Sequence, residues 1–306
     1  MRIAHINNIS GVPSTIAEYQ KKQGHSADVF VFNDTAYKQF GGIKINYRSP
    51  IAQWKLFRKL KKDYDVWHYH YPYGSLKNSL EKRNQGKAYL KHYHGDDIRG
   101  KHDNDFCLVS TPDLLQYAPN GKWLPNPIDI YQIKKIIVAK EEEPTQAKSK
   151  NKVRIAHYPF YKSNPSPGFD YYTIALNKLQ KENKCENVEI LNLSHIQALQ
   201  VMYSSDIIVG KILPEVGWFG KFELEGMALG KPVIAYVSDY LYEKYKPPVY
   251  RTTKDTFMRD LENLIANNDE KNRLAGEGHE YVKKHHSIEP IIKTVNECYK
   301  THAITT

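Results

Sequence analysis

The sequence predicts an α/β protein built from two parallel-sheet domains, and three observations carry that reading. Short apolar runs alternate with helical stretches, and the alternation restarts after one long polar segment. The 306 residues suit two units of about 150 each. Strands separated by helices rather than by tight hairpins imply parallel sheets covered on both faces.

In chain order, Ile3-Ala4-His5-Ile6-Asn7 reads as the first strand and Gly11-Val12-Pro13-Ser14 as a turn. A helix from about Thr15 to Gln23 stops at Gly24, where a residue without Cβ is favoured. Val29–Phe32, Tyr64–Tyr69, Lys87–Tyr93 and Phe106–Ser110 follow as strands. The polar stretch Ala139–Lys152 reads as a solvated linker. Beyond it come strand Val153–His157, a helix near 170–182, strand Val188–Leu191, helix 195–203, strand Ile207–Val209, helix 220–229 and strand Pro232–Tyr236. Residues 255–300 are expected to be helical, with Phe257, Leu261, Leu264 and Ile265 at helical spacing. Open sheets of this kind bind ligands at the carboxyl ends of their strands, so a cleft between the two domains is the expected ligand site.

Composition excludes several classes. Charged residues make up 25% and hydrophobic ones 41%, which is neither disordered nor fibrous. No apolar run approaches the ~18–20 residues of a membrane span, and Met1-Arg2-Ile3 leads directly into a strand rather than a secretory leader. Cys107, Cys185 and Cys298 are far apart and lack metal-ligand spacing, as expected of structural thiols in a cytoplasmic chain. The formal net charge of +10 is uneven: residues 1–150 carry +9 and residues 151–306 carry +1. Such a basic half points to a polyanionic partner, either nucleic acid or an anionic membrane surface.

The most informative segment is Gly217-Trp218-Phe219-Gly220-Lys221, followed by a helix that contains Glu225 and ends at Gly230-Lys231-Pro232. A glycine-containing loop that opens a helix turns free backbone N–H groups toward an anion. A carboxylate on that helix suits a ribose diol. The bland reading is an ordinary helix–turn–strand with a surface glutamate.

The run Glu225-Gly226-Met227-Ala228-Leu229-Gly230-Lys231-Pro232-Val233 resembles the signature of retaining GT-B glycosyltransferases of family 4, the group 1 enzymes. Four further pieces resemble that family in order. They are Gly11-Val12-Pro13-Ser14 with Gly24-His25, His94-Gly95-Asp96-Asp97-Ile98-Arg99, Leu124-Pro125-Asn126-Pro127-Ile128-Asp129, and His286-Ser287 with the helix after it. The resemblance implies a GT-B architecture of two Rossmann-like domains facing across a cleft. It implies an N-terminal acceptor domain over 1–138, a linker over 139–152, a nucleotide-sugar donor domain over 153–285 and a helix over 286–306 returning toward the first domain.

It further implies a nucleotide diphosphate sugar as co-substrate, no other cofactor and no metal. The acceptor would be a saccharide or lipid-linked saccharide. Glu225 would hold the ribose, His94 would face the donor sugar, and Gly11, Gly217, Trp218, Phe219, Gly220 and Lys221 would line the donor. Two departures stand out. Gly217 occupies the place of the family's first glutamate, which leaves Glu215 as its substitute only if the loop bulges. Pro167-Gly168 stands where a Lys-Gly is usual, so Lys162 is the expected phosphate-neutralising cation, with Lys211 and Lys221 as further choices. A catalytically degenerate carbohydrate- or partner-binding subunit is the alternative these departures support.

Trp54-Lys55-Leu56-Phe57-Arg58-Lys59-Leu60-Lys61-Lys62 reads as an amphipathic basic helix, with Trp54, Phe57 and Leu60 expected on one apolar face. It is either a core-packed helix with a charged outer side or a contact for the inner face of the cell membrane. A nucleic-acid partner is disfavoured because no recognised nucleic-acid-binding motif accompanies the charge. His68 and His70, with Tyr69, Tyr71 and Tyr73, form an aromatic strand end suited either to stacking on an acceptor sugar or to the rim of a half-buried strand.

Overall fold

The computed structural model describes residues 1–46, 49–70, 87–141, 152–159 and 171–302. Tyr71, Tyr73, Lys162, Pro167-Gly168 and most of the expected linker lie outside the described residues. The chain divides into two compact units: Met1–Pro127 with Ser287–Thr306, and Ile128–His286.

The first unit carries strands β1 (Arg2–Ile6), β2 (Ser26–Val31), β3 (Ile43–Lys44), β4 (Val66–His70), β5 (Ala88–Tyr93), β6 (Leu108–Val109) and β7 (Lys122–Trp123). They form one parallel sheet in the order β3-β2-β1-β4-β5-β6-β7. The strand order reverses between β1 and β4, the position where such sheets gather ligands. Side chains alternate across the sheet. Ile3, Val66 and Leu90 join a core with helix α1 (Val12–Lys22) and the C-terminal helix Ile288–Thr301, through Ile288, Ile291, Ile292, Val295 and Tyr299. Ala4, Ile6, Trp67, Tyr69 and Tyr89 face the other way, onto Leu56, Phe57 and Leu60 of helix α3 (Pro50–Asp63). Helix α2 is Asp34–Phe40.

The second unit holds β8 (Val153–His157), β9 (Cys185–Glu189), β10 (Ile207–Val209), β11 (Val233–Ala235) and β12 (Tyr250–Arg251), all parallel in the order β12-β11-β10-β8-β9. Here the order reverses between β8 and β10. Its helices are α4 (Ile130–Glu141), α5 (Tyr171–Lys181), α6 (His195–Tyr203), α7 (Lys221–Ala228), α8 (Asp239–Tyr245), α9 (Phe257–Ala266) and α10 (Asn268–His285); the C-terminal helix is α11.

Several boundaries differ from the sequence reading. Helix α1 begins at Val12 rather than Thr15, because Gly11 takes a left-handed φ of 72° as its N-cap and Pro13 suits the first turn. Strand β9 spans Cys185–Glu189, not Val188–Leu191; its polar Glu186 and Asn187 hide its start from an apolar pattern. Ile130–Glu141 is a helix packed in the second unit through Ile133, ahead of the expected boundary after residue 138 and running into the expected linker. On α3 the buried stripe is Leu56, Phe57 and Leu60, while Trp54 is 51% exposed and stacks under the Arg58 guanidinium at 4.8 Å. No helix among the described residues is long and apolar enough to cross a membrane.

Candidate functional site

At the carboxyl end of the first sheet, three neighbouring strands bring five histidines together. His5 pairs with His68 in register and His70 with His92, and His94 follows β5 directly. In both His-Tyr-His runs the strand period of two turns the histidines to one face and Tyr69 and Tyr93 to the other. His5, His68, His70 and His92 are fully buried and His94 is half-buried. Ring centroids lie 4.0 Å apart for His68 and His70 and 4.3 Å for His92 and His94.

The ring nitrogens form a hydrogen-bonded chain. His5 Nε2 meets Gln20 Oε1 at 2.8 Å, His5 Nδ1 meets His70 Nε2 at 3.0 Å, and His70 Nδ1 meets His94 Nε2 at 3.1 Å. Ser110 Oγ lies 2.7 Å from His94 Nδ1 and 3.0 Å from His92 Nε2. His68 Nδ1 meets the Tyr299 hydroxyl at 2.8 Å. Burial disfavours the imidazolium throughout, pushing His5 down to about 4 and His94 down to about 3, with His68, His70 and His92 also well below the ordinary value. The cluster is therefore neutral at pH 7.

The turn after His94 is held by Asp97, whose carboxylate accepts the backbone N–H groups of His94 (3.0 Å) and Gly95 (2.7 Å). Burial raises the Asp97 carboxyl to about 6, against the pull of those bonds. Arg99 braces the same turn by pairing with Asp113 at 2.8 Å and Asp96 at 3.0 Å. The turn after β1 is tight, with Asn7, Ser10 and Gly11 all at positive φ; a Cβ on Gly11 would lie 2.6 Å from the Phe40 ring.

In the second unit the segment after β10 closes on itself through Glu223, a residue of α7. Glu223 Oε1 accepts Lys211 N at 2.6 Å and Oε2 accepts Gly220 N at 2.8 Å, tying both ends of the 211–220 loop to one buried carboxylate. Two residues on, Glu225 Oε1 accepts from His195 Nε2 at 2.7 Å and pairs with Lys221 Nζ at 3.3 Å. Burial works to raise the Glu225 carboxyl, but Lys221 and His195 outweigh it and hold the group below the usual glutamate value. A buried, ionised, partnered carboxylate inside α7 results.

The structure sorts the sequence-predicted residues. His195 and Lys221 converge on Glu225, and His195 was foreseen only as the first residue of a helix. Trp218 and Phe219 stack at 4.5 Å inside the core, so their rings offer nothing to a donor; what their segment presents is backbone. Gly217 sits at φ 73°, and a side chain there would meet Ser238, so this position is built for glycine. Glu215 lies two residues earlier on an exposed turn. His68 and His70, fully buried, present no face for stacking on a sugar. Both ring nitrogens of His94 are engaged, so a sugar hydroxyl reaching either would displace Ser110 or His70. Lys55, Arg58, Lys59 and Lys62 are exposed on α3 beside Trp54. The sequence reading missed His5, His92, Ser110 and Glu223; the paired His-x-His runs were the available signal.

No family model matches the chain, and no curated protein matches it. Solved structures do. A glycosyltransferase from Rickettsia africae ESF-5 matches 100% of this chain and 99% of its own, with TM-score 0.62 at 16% identity. A trehalose-6-phosphate synthase matches over 98% and 99%, with TM-score 0.62 at 10% identity. A UDP-GlcNAc 2-epimerase from Neisseria meningitidis matches over 97% and 99%, with TM-score 0.56 at 12% identity.

The fold is GT-B. Both GT-B units here are open parallel sheets with a strand-order reversal, and each of the two polar clusters sits beside that reversal at the carboxyl ends of the strands.

Proposed function

We propose that the chain is a glycosyltransferase that uses a nucleotide diphosphate sugar, moving a hexose-like unit with retention to a saccharide or lipid-linked saccharide. The observation that carries this reading is the Glu225 cluster: an ionised carboxylate inside the Glu-Gly-Met-Ala-x-Gly-x-Pro-Val run, flanked by His195 and Lys221. Ionised, the carboxylate accepts the two hydroxyl hydrogens of a ribose. Lys221 and Lys211 flank a loop whose backbone N–H groups, other than those of Lys211 and Gly220, which Glu223 takes, suit a diphosphate. The lysine charges would offset the charge that builds on the leaving group. Among similar folds, one is described as bound to UDP-GlcNAc and another, MnaA of S. aureus, as a UDP co-structure, which supports a nucleotide-sugar ligand.

The exposed side of α3 supports a peripheral membrane contact for the acceptor. Ile51, Trp54, Lys55, Arg58 and Lys62 fall on one helical face, and Ile51 and Trp54 are 68% and 51% exposed. Each lysine or arginine near an anionic leaflet contributes about 1 kcal/mol.

Incubation with a panel of nucleotide sugars and saccharide acceptors tests the reading, with product analysis by mass spectrometry and NMR. Transfer, or slow donor hydrolysis, with the anomeric configuration kept is the expected result. Conversion of the donor to a C2 epimer without transfer would assign the chain to the epimerase chemistry of its other structural neighbours.

A further inference from the structure

Two triplets of histidines each bring one ring nitrogen apiece to within 4.8 Å of one another: His5, His68 and His70, and His70, His92 and His94. Amide groups fix which nitrogens carry hydrogen, since tautomers follow from the partners each ring keeps. Asn296 Nδ2 donates to Gln23 Oε1, so its Oδ1 accepts from Gln20 Nε2. Gln20 Oε1 must then accept from His5 Nε2, which leaves His5 Nδ1 to accept from His70 Nε2. The lone pair of His70 therefore sits on Nδ1, 3.1 Å from His94 Nε2.

With no ion in place, His94 donates to His70, the Ser110 hydroxyl donates to His94 Nδ1, and His92 Nε2 donates to Ser110. That arrangement ends badly: His92 Nδ1 is a buried lone pair with no hydrogen-bond partner. A buried nitrogen left without a partner is destabilising.

We propose that His70 Nδ1, His92 Nδ1 and His94 Nε2 hold a divalent first-row transition ion, with zinc the best chemical match and a fourth position open at the half-buried His94 edge. Three neutral imidazoles plus an open position are a zinc ligand set, and at Zn–N distances of about 2.0–2.1 Å neighbouring ligand nitrogens lie roughly 3.3 Å apart. The 3.1 Å between His70 and His94 fits that edge. Each ligand ring also keeps the outward hydrogen bond that metal-bound histidines make. His92 Nε2 and His94 Nδ1 both donate to Ser110 Oγ, and His70 Nε2 donates to His5 Nδ1. Protons balance: His94 exchanges an Nε2 hydrogen for one on Nδ1, the Ser110 hydroxyl turns away, and none is released. The other triplet has an unpartnered nitrogen of its own at His68 Nε2 but is less suited. Freeing His70 Nε2 would require both His70 and His94 to change tautomer, whereas the chosen site requires only His94 to do so. The site lies wholly in the first unit and does not depend on whether the chain transfers sugars.

The test is a cobalt and zinc titration of the chelator-stripped full chain. One equivalent of Co²⁺ should bind with visible bands of a four-coordinate nitrogen site, at about micromolar affinity or tighter, and Zn²⁺ should displace it. His92→Ala should weaken binding more than about a hundredfold, whereas His68→Asn, outside the ligand set, should change it less than about threefold. Long-range ¹⁵N–¹H spectra of the wild-type imidazoles provide a readout that needs no variant: zinc should move His94 from the Nε2–H to the Nδ1–H tautomer. No cobalt bands, or imidazole spectra unchanged at saturating zinc, would overturn the site and leave the metal-free hydrogen-bond chain as the true state. An equal loss in His68→Asn would overturn it too.

Discussion

The two units carry polar clusters at equivalent places, the carboxyl ends of parallel strands beside a strand-order reversal, yet they bury polarity in opposite ways. In the first unit five imidazoles are kept neutral by burial and bond to one another, to Ser110, Gln20 and Tyr299, with His92 Nδ1 and His68 Nε2 left without hydrogen-bond partners. In the second, Glu225 stays ionised because Lys221 and His195 are built in beside it. A neutral cluster tolerates complete burial but is vulnerable to acid. A charged cluster needs a partner for every charge, and it is ready to hold a ligand's hydroxyls or phosphates.

Acid should separate the two most strongly. A histidine whose folded pKa is depressed contributes stability above its unfolded value near 6.5 and loses it as pH falls toward the folded value. Below about pH 6 each such group costs about 1.4 kcal/mol per pH unit, so five cost roughly 7 kcal/mol per unit, comparable to a domain's whole stability. Asp97, raised to about 6, acts oppositely as a single group: its contribution is full below about 4 and is lost as pH rises through 6. In metal-free protein, hydrogen exchange should therefore show the first unit opening between pH 6.5 and 5 while the second keeps its protection. Glu225 fails in a lower window, its contribution disappearing below about pH 4.5.

Substitutions probe the same contrast on a smaller scale. Phe57→Ala on the buried side of α3 should cost about 3–5 kcal/mol, whereas Trp54→Ala, one turn away on the exposed side, should stay within about 0.5 kcal/mol. Liposome sedimentation should reverse that ranking, with Trp54→Ala losing binding to anionic vesicles. Ser110→Ala strands both His92 Nε2 and His94 Nδ1, and thermal melts of the metal-free protein should show a loss of about 2–4 kcal/mol. A smaller loss than at Ser110 is expected at Gly217. Introducing a glutamate by Gly217→Glu forces a side chain onto φ 73°, and melts should register a loss of about 1–2 kcal/mol rather than a gain.

Much of the fold was legible because strands β1, β4, β8, β10 and β11 are short, largely apolar runs most of whose residues are buried on both faces. Helix α2 gave no signal since it buries none of its residues, and β9 starts on polar side chains at a sheet edge. The Glu225 cluster was half legible. The motif marks the helix, but His195 lies thirty residues away in sequence, and only the adjacency of α6 and α7 brings it within 2.7 Å. The histidine cluster was misread for a related reason. His68 and His70 have the composition of a strand rim, and what buries them is the C-terminal helix carrying Tyr299, more than two hundred residues later.

Calorimetry of nucleoside diphosphate binding, wild type against Glu225→Gln, bears most directly on the proposed donor site. At least one nucleoside diphosphate should bind the wild type below millimolar concentration, and the variant should bind it about 10–100-fold more weakly, the value of one or two hydrogen bonds to a charged group. Equal affinity in the variant, or no binding of any nucleoside diphosphate at millimolar concentration, would contradict it.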